Sequence, residues 1–151
     1  MASIDRADPV IMGHLLAQHR ELHDLLVEAR AAFEQPSGAV ARADAAARLG
    51  SLRQHLARHF SQEEQGGYME ESLTRMPRLS QAVRNVLAEH PALLGELDRL
   101  LERLAARDSG EEGWRQAGRA FEAFASHLLA HERNENAVVQ EGYNEDLGLV
   151  D

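Results

Sequence analysis

Apolar side chains recur every three or four positions along most of the chain, the period of helices that bury one face. Ile11, Leu15, Leu22, Leu25 and Leu26 mark the first such face. Asp8-Pro9 supplies an N-cap followed by proline at the first helical position, and the helix it opens runs to about Phe33. "EQPSG" (Glu34 to Gly38) breaks the pattern, and a second helix covers roughly Val40 to Gln65 before Gly66-Gly67. After a short piece, "YMEESLTRM", Pro77 opens a third helix that reaches about Arg107. Pro91 lies inside it and predicts a kink, or a restart just after His90. "RDSGEEG" is the last break, with Ser109 and Glu112 placed as a capping box. The fourth helix carries Trp114, Phe121, Phe124 and Leu128 as core positions and then enters "HERNEN". Long amphipathic helices joined by short loops predict an all-α, up-down-up-down four-helix bundle. Residues 1–151 read as one domain with a core bundle over about 9–146.

Two of these faces are interrupted by polar residues, and the interruption is written twice. "HLARHFSQEE" places His55, His59 and Glu63 at steps of four, and "HLLAHERNEN" does the same with His127, His131 and Glu135, 72 positions later. Residues four apart share one helix face, a face that soluble proteins normally give to Leu and Ala. The repeat extends further. "AQHRELHDLL" (Ala17 to Leu26) matches "AEHPALLGEL" (Ala88 to Leu97), with His19 over His90, and "GGYMEE" at Gly66 is echoed by "EGYNED" at Glu141. Two helical hairpins of one design, related by a pseudo-twofold axis, bring both polar sets to one centre. The repeat keeps its polar positions better than its apolar ones, the opposite of what packing alone selects.

Composition narrows the chemistry. Acidic residues outnumber basic ones 25 to 16, a net charge of −9 that argues against nucleic acid or an anionic membrane as partner. No apolar run approaches a bilayer span, and "MASIDRADPV" lacks the character of a secretory signal, so a cytoplasmic location is the default expectation. With no cysteine, thiolate sites, Fe–S clusters and a Cys nucleophile are excluded. Eight histidines remain as donors, which restricts a metal to iron, manganese, zinc or their neighbours.

At one level of the core the four helices offer His19, His59 with Glu63, His90, and His131 with Glu135. Two metal ions can each take two imidazoles while both carboxylates bridge, offsetting charge that an apolar interior would otherwise resist. A bridging oxide or hydroxide would complete such a core and leave open positions for a small ligand. These residues resemble the hemerythrin-like (HHE cation-binding) family of di-iron bundles, over about Ile11 to Asp146. The resemblance implies two non-haem Fe ions held by the six residues just named, with Zn or Mn as other occupants. Oxygen-carrying members add a histidine from the third helix, where this chain has Leu94; "HRELH" instead places His23 at the pseudosymmetric position, as a fifth imidazole ligand or a polar neighbour. The carriers also end in HxxxxD, whereas the spacing here is HxxxE, closer to bacterial members linked to NO responses and di-iron repair.

Competing scaffolds fall away. None of the histidines has the Glu three positions earlier that a ferritin-like ExxH site needs. "HERNE" lacks the second histidine of a zincin. His55 and His127, one turn beyond His59 and His131, read as hydrogen-bond partners of the ligands, with direct ligation the alternative. Glu64 points about 100° from Glu63 and reads as surface charge. His14 reads as surface, Tyr68 and Tyr143 as caps of the bundle, and the acidic run from Glu141 as a solvated tail. The leading functional expectation is a module binding a small diatomic ligand, O2 or NO, for sensing, storage or transport. The alternatives are a di-iron enzyme acting on NO or peroxide or donating iron for repair, and a structural zinc or manganese bundle.

Overall fold

The computed structural model describes residues 9–65, 77–106 and 110–148. Among these, four α-helices follow one another: α1 (Pro9–Phe33), α2 (Ala39–Gln65), α3 (Ser80–Ala105) and α4 (Gly110–Gly148), with a 3-10 turn at Pro77–Leu79 leading into α3. Helix α1 packs on α2 and α4, α2 on α3, and α3 on α4, so the four close into a ring as the sequence predicts for an all-α bundle. None of the helices is long and apolar enough to cross a membrane, among the described residues.

Each helix buries one stripe of three- and four-residue steps. In α3 it is Val83, Val86, His90, Leu93, Leu97, Leu100 and Leu104. In α2 it is Ala41, Ala45, Leu49, Leu52, Leu56, His59 and Glu63, with Phe60 beside them. The polar residues thus occupy the same stripe as the leucines. Two apolar bodies result. The larger joins Leu22, Leu26, Leu49, Leu97, Phe121 and Phe124 with their neighbours, and the smaller joins Leu15, Leu79, Val83, Val86, Val138 and Val139. Along α1 the order is Leu15, His19, Leu22, and along α4 it is Leu128, His131, Glu135, Val138, so the histidines and glutamates form a layer between the two bodies.

Trp114, Phe121 and Phe124 are buried as expected. Phe33 stacks on Phe121 and tilts against Trp114, whose indole N–H donates to the Gln35 carbonyl at 2.9 Å and ties the α1–α2 loop to α4. At the end of α3, Arg42 donates to the carbonyls of Leu104 and Ala106, which have no further helical turn to accept from. Gly110 starts α4 at φ +78, a left-handed conformation that favours glycine.

Three local expectations change. Helix α3 does not restart after His90; it runs unbroken through Pro91, whose ring costs one backbone donor but sits on an exposed face. The run from Glu141, expected as a solvated tail, is helical as far as Gly148, with Glu141 exposed and paired with Arg78 at 2.9 Å. The opening of the third segment at Pro77 is 3-10 rather than α-helical. Asp8, Tyr68, Ser109 and the Tyr143 side chain lie outside the described residues.

Candidate metal centre

Six side chains from four helices meet in the polar layer: His19 from α1, His59 and Glu63 from α2, His90 from α3, His131 and Glu135 from α4. All are buried, Glu63 and Glu135 to 1% and 0% exposure. Each position is reached by the same leucine-spaced stripe that builds the core, so forming the bundle and assembling the layer are one event.

Glu135 organises the geometry. Its Oε1 lies 2.8 Å from His19 Nε2 and 3.4 Å from His59 Nε2, while its Oε2 lies 3.0 Å from His131 Nε2 and 3.8 Å from His90 Nε2. Glu63 faces it with the same division, Oε1 at 3.1 Å from His90 and Oε2 at 3.5 Å from His59. Glu135 therefore spans two imidazole pairs, and Glu63 spans one imidazole of each pair, His59 and His90. The donor atoms of Glu63, His90, His131 and Glu135 all lie within 4.8 Å of one another, and so do those of His19, His59 and Glu135.

Without a cation this is an awkward set of neighbours. Burial, and then the adjacent Glu135, push Glu63 up to about 12, so it keeps its proton. Burial would push Glu135 up as well, but the proton kept by the neighbouring Glu63 and hydrogen bonding from His131, His19 and His59 hold it well below the usual carboxylate range. Burial opposes charge on His131, yet Glu135 and Glu89 outweigh it and raise the ring. Even so, both oxygens of Glu63 and Nε2 of His90 are buried without a hydrogen-bond partner. Unpaired buried polar atoms cost about 1–3 kcal/mol each, so these converging lone pairs fit a cation between them.

The outer ring atoms are held as well. His59 Nδ1 donates to the Gln18 oxygen at 2.5 Å, with the Gln18 amide nitrogen donating in turn to Gln62. His90 Nδ1 donates to Glu64 at 2.6 Å, and His131 Nδ1 to Glu89 at 2.6 Å. Such bonds fix the tautomer and aim Nε2 inward, as metal-ligating histidines require. Phe60 stacks on His90, ring centroids 3.7 Å apart and nearly parallel, and meets His131 edge-on.

The remaining histidines fall elsewhere. His23 is 52% exposed at its side chain and bonds Glu132 at 2.7 Å, outside both donor groups. His55 pairs with Glu21 at 3.3 Å and His127 with Glu96 at 2.7 Å, so the supporting role expected of them goes to Gln18, Glu64 and Glu89. Glu64, expected as surface charge, reaches across to α3 because α2 and α3 are adjacent. His14 is exposed, as expected. Sequence reasoning overlooked Glu132, which is 3% exposed and whose carboxyl is raised mainly by burial. A signal existed: in the repeat its counterpart is Phe60, a core position.

Two cavities reach the layer: one of about 340 Å³ is lined by His131 with Glu89, Leu93 and His127, and the other opens beside His19. The second has a volume of about 260 Å³ and is lined by His19, His23, Glu132 and Asn136 together with Leu16 and Arg20. A larger one, about 560 Å³ beside Phe33 and Trp114, contains no residue of the layer.

Comparison with known families agrees with this geometry. The family described as "Hemerythrin HHE cation binding domain" matches residues 10–141. No curated protein and no solved structure matches the chain.

Proposed function

Because this chain belongs to the hemerythrin HHE cation-binding family, we propose that its polar layer holds two non-haem iron ions and takes up a small diatomic ligand, O2 or NO. The observation that carries this reading is the division of labour in the two glutamates. Each offers one oxygen toward His19 and His59 or toward His59 alone, and the other toward His90 and His131 or toward His90 alone. In this reading His19 and His59 hold one ion, His90 and His131 the other, and Glu63 and Glu135 bridge. Four neutral imidazoles and two carboxylates form a borderline donor set suited to iron, and equally acceptable to manganese or zinc, since affinity alone does not select among them.

Bound iron would supply reversible electron donation to the ligand. The chain's own residues do the rest. Gln18, Glu64 and Glu89 keep His59, His90 and His131 in the tautomer that presents Nε2 to the centre. The apolar bodies on either side exclude bulk water, which slows loss of an oxidised product. The cavities at His19, beside Glu132 and Asn136, and at His131, beside Glu89, are approaches open to a small ligand. Glu63 gives up its proton when cations enter, so binding releases protons and strengthens as pH rises.

The test is to load the purified chain anaerobically with Fe(II), count the metal, and record absorption before and after admitting O2 or NO. Two irons per chain with a spectral change that reverses when the gas is removed supports a binding module. A change that cannot be reversed by removing the gas favours a redox enzyme. Two metals with no response to either gas leaves a structural zinc or manganese centre.

A further inference from the structure

The internal repeat allows the two halves of the layer to be compared position by position, and they are not alike. At an offset of 71, Gln18 corresponds to Glu89, and at 72, Glu64 corresponds to Asn136. The structure gives these pairs matching duties. Gln18 receives the Nδ1 hydrogen of His59, as Glu89 receives that of His131. Glu64 receives that of His90, but the matching bond from His19 to Asn136 is not made. Instead His19 Nδ1 and Asn136 Oδ1 are both buried without a partner, and both residues line the same cavity.

The asymmetry continues in the next contacts. Phe60 covers His90 with a stacked ring, and its counterpart is Glu132, whose Oε1 is bonded to His23 rather than to a ring of the layer. Leu94 corresponds to His23. The His90–His131 half is therefore backed by two carboxylates and an aromatic ring. The His19–His59 half is backed by one neutral amide; each half borders a cavity, of about 260 Å³ at His19 and about 340 Å³ at His131, so the difference lies in these outer partners. Hydrogen bonding to a carboxylate places more electron density on the far ring nitrogen than hydrogen bonding to an amide, and so makes it a stronger ligand.

We propose that the two metal positions are unequal: the His90–His131 position binds a divalent cation more tightly and fills first, and the His19–His59 position is the weaker, exchangeable one. Gln18, Asn136, Glu64 and Glu89 act here as positioning residues, through the imidazoles rather than on the metal. The inference rests on the reading of the layer as a two-metal centre.

The experiment is a calorimetric titration of the metal-free full chain with Co(II), repeated on Glu89→Gln and Gln18→Glu. The expected result for the parent is two ions per chain in two steps separated by about 10-fold or more in affinity, the usual scale of such outer contacts. Glu89→Gln should weaken the tighter step by about 10-fold, and Gln18→Glu should strengthen the weaker one, so that each variant brings the steps together. The Glu89 side chain is 43% exposed, so its replacement leaves the core intact, and circular dichroism verifies this. Two ions of one affinity, or steps that neither substitution moves, overturn the inequality while leaving the two-metal reading in place. Weakening of the second step rather than the first by Glu89→Gln overturns the assignment of halves. Failure of the parent to bind two ions removes the reading and the inference together.

Discussion

The larger apolar body and the polar layer are built on the same helical stripes, yet they hold the bundle together in different ways. Around Leu49, Leu97, Phe121 and Phe124, the buried cluster is made of apolar side chains packed on one another. One or two turns further along, the stripe carries His19, His59, Glu63, His90, His131 and Glu135, and several of their buried atoms are left unpaired. The apolar end supplies packing that needs no cation, which lets the other end keep an arrangement that packing alone would reject. Stability should therefore be independent of metal at one end and governed by metal at the other.

The largest effect expected at the apolar end is from Phe121→Ala. The ring is fully buried and stacks on Phe33, and its loss should cost about 3–5 kcal/mol in denaturant unfolding. That cost should be the same with and without metal. A loss that differed strongly between the two states would show the ends to be coupled.

At the layer, the expected effect depends on the cation. Each ion present at 100 times its dissociation constant should add about 2.7 kcal/mol to the parent chain. His59→Ala should lose most of this gain, because His59 Nε2 faces both Glu63 and Glu135. Thermal melts with and without metal measure it, and an unchanged gain in the variant would remove His59 from the ligand set.

A pH-dependent difference should separate Glu63→Gln from the parent in the metal-free state. The Glu63 pKa rises from 4.5 to about 12 on folding. The stability linked to its proton is thus fully present below about pH 4.5 and lost progressively as pH rises toward 12. Glutamine cannot ionise, so metal-free Glu63→Gln should gain on the parent between about pH 5 and pH 9 in melting temperature. With metal the order should reverse, since the variant lacks a carboxylate to bridge.

The smallest effect belongs to neither region. Arg30 donates twice to Glu122, at 2.8 and 2.9 Å, but both side chains are well exposed, so Arg30→Ala should cost less than about 1 kcal/mol in either state. It is the baseline against which the other three are read.

The bundle and the six converging residues were legible in the sequence because the polar positions keep the leucine spacing and recur at a fixed offset. His59 with Glu63 and His131 with Glu135 announce themselves, and His19 and His90 follow from the repeat. The supporting contacts were not legible. Glu64 and Glu89 serve histidines on neighbouring helices, and no spacing within one helix reports which residue of the next lies opposite. Of the two roles the sequence left open for His23, which matches Leu94 in register, the structure shows the polar contact, to Glu132 at 2.7 Å. Pro91 suggested a kink or a restart; the helix does not restart, and Val86, His90, Leu93 and Leu97 are buried on both sides of it.

The central claim is tested most directly by anomalous diffraction from crystals grown with Fe(II) and measured at the iron edge. The account predicts two peaks in the layer, one against Nε2 of His19 and His59 and one against Nε2 of His90 and His131, with Glu63 and Glu135 between them. A single peak, no peak, or a peak between His23 and Glu132 would contradict it.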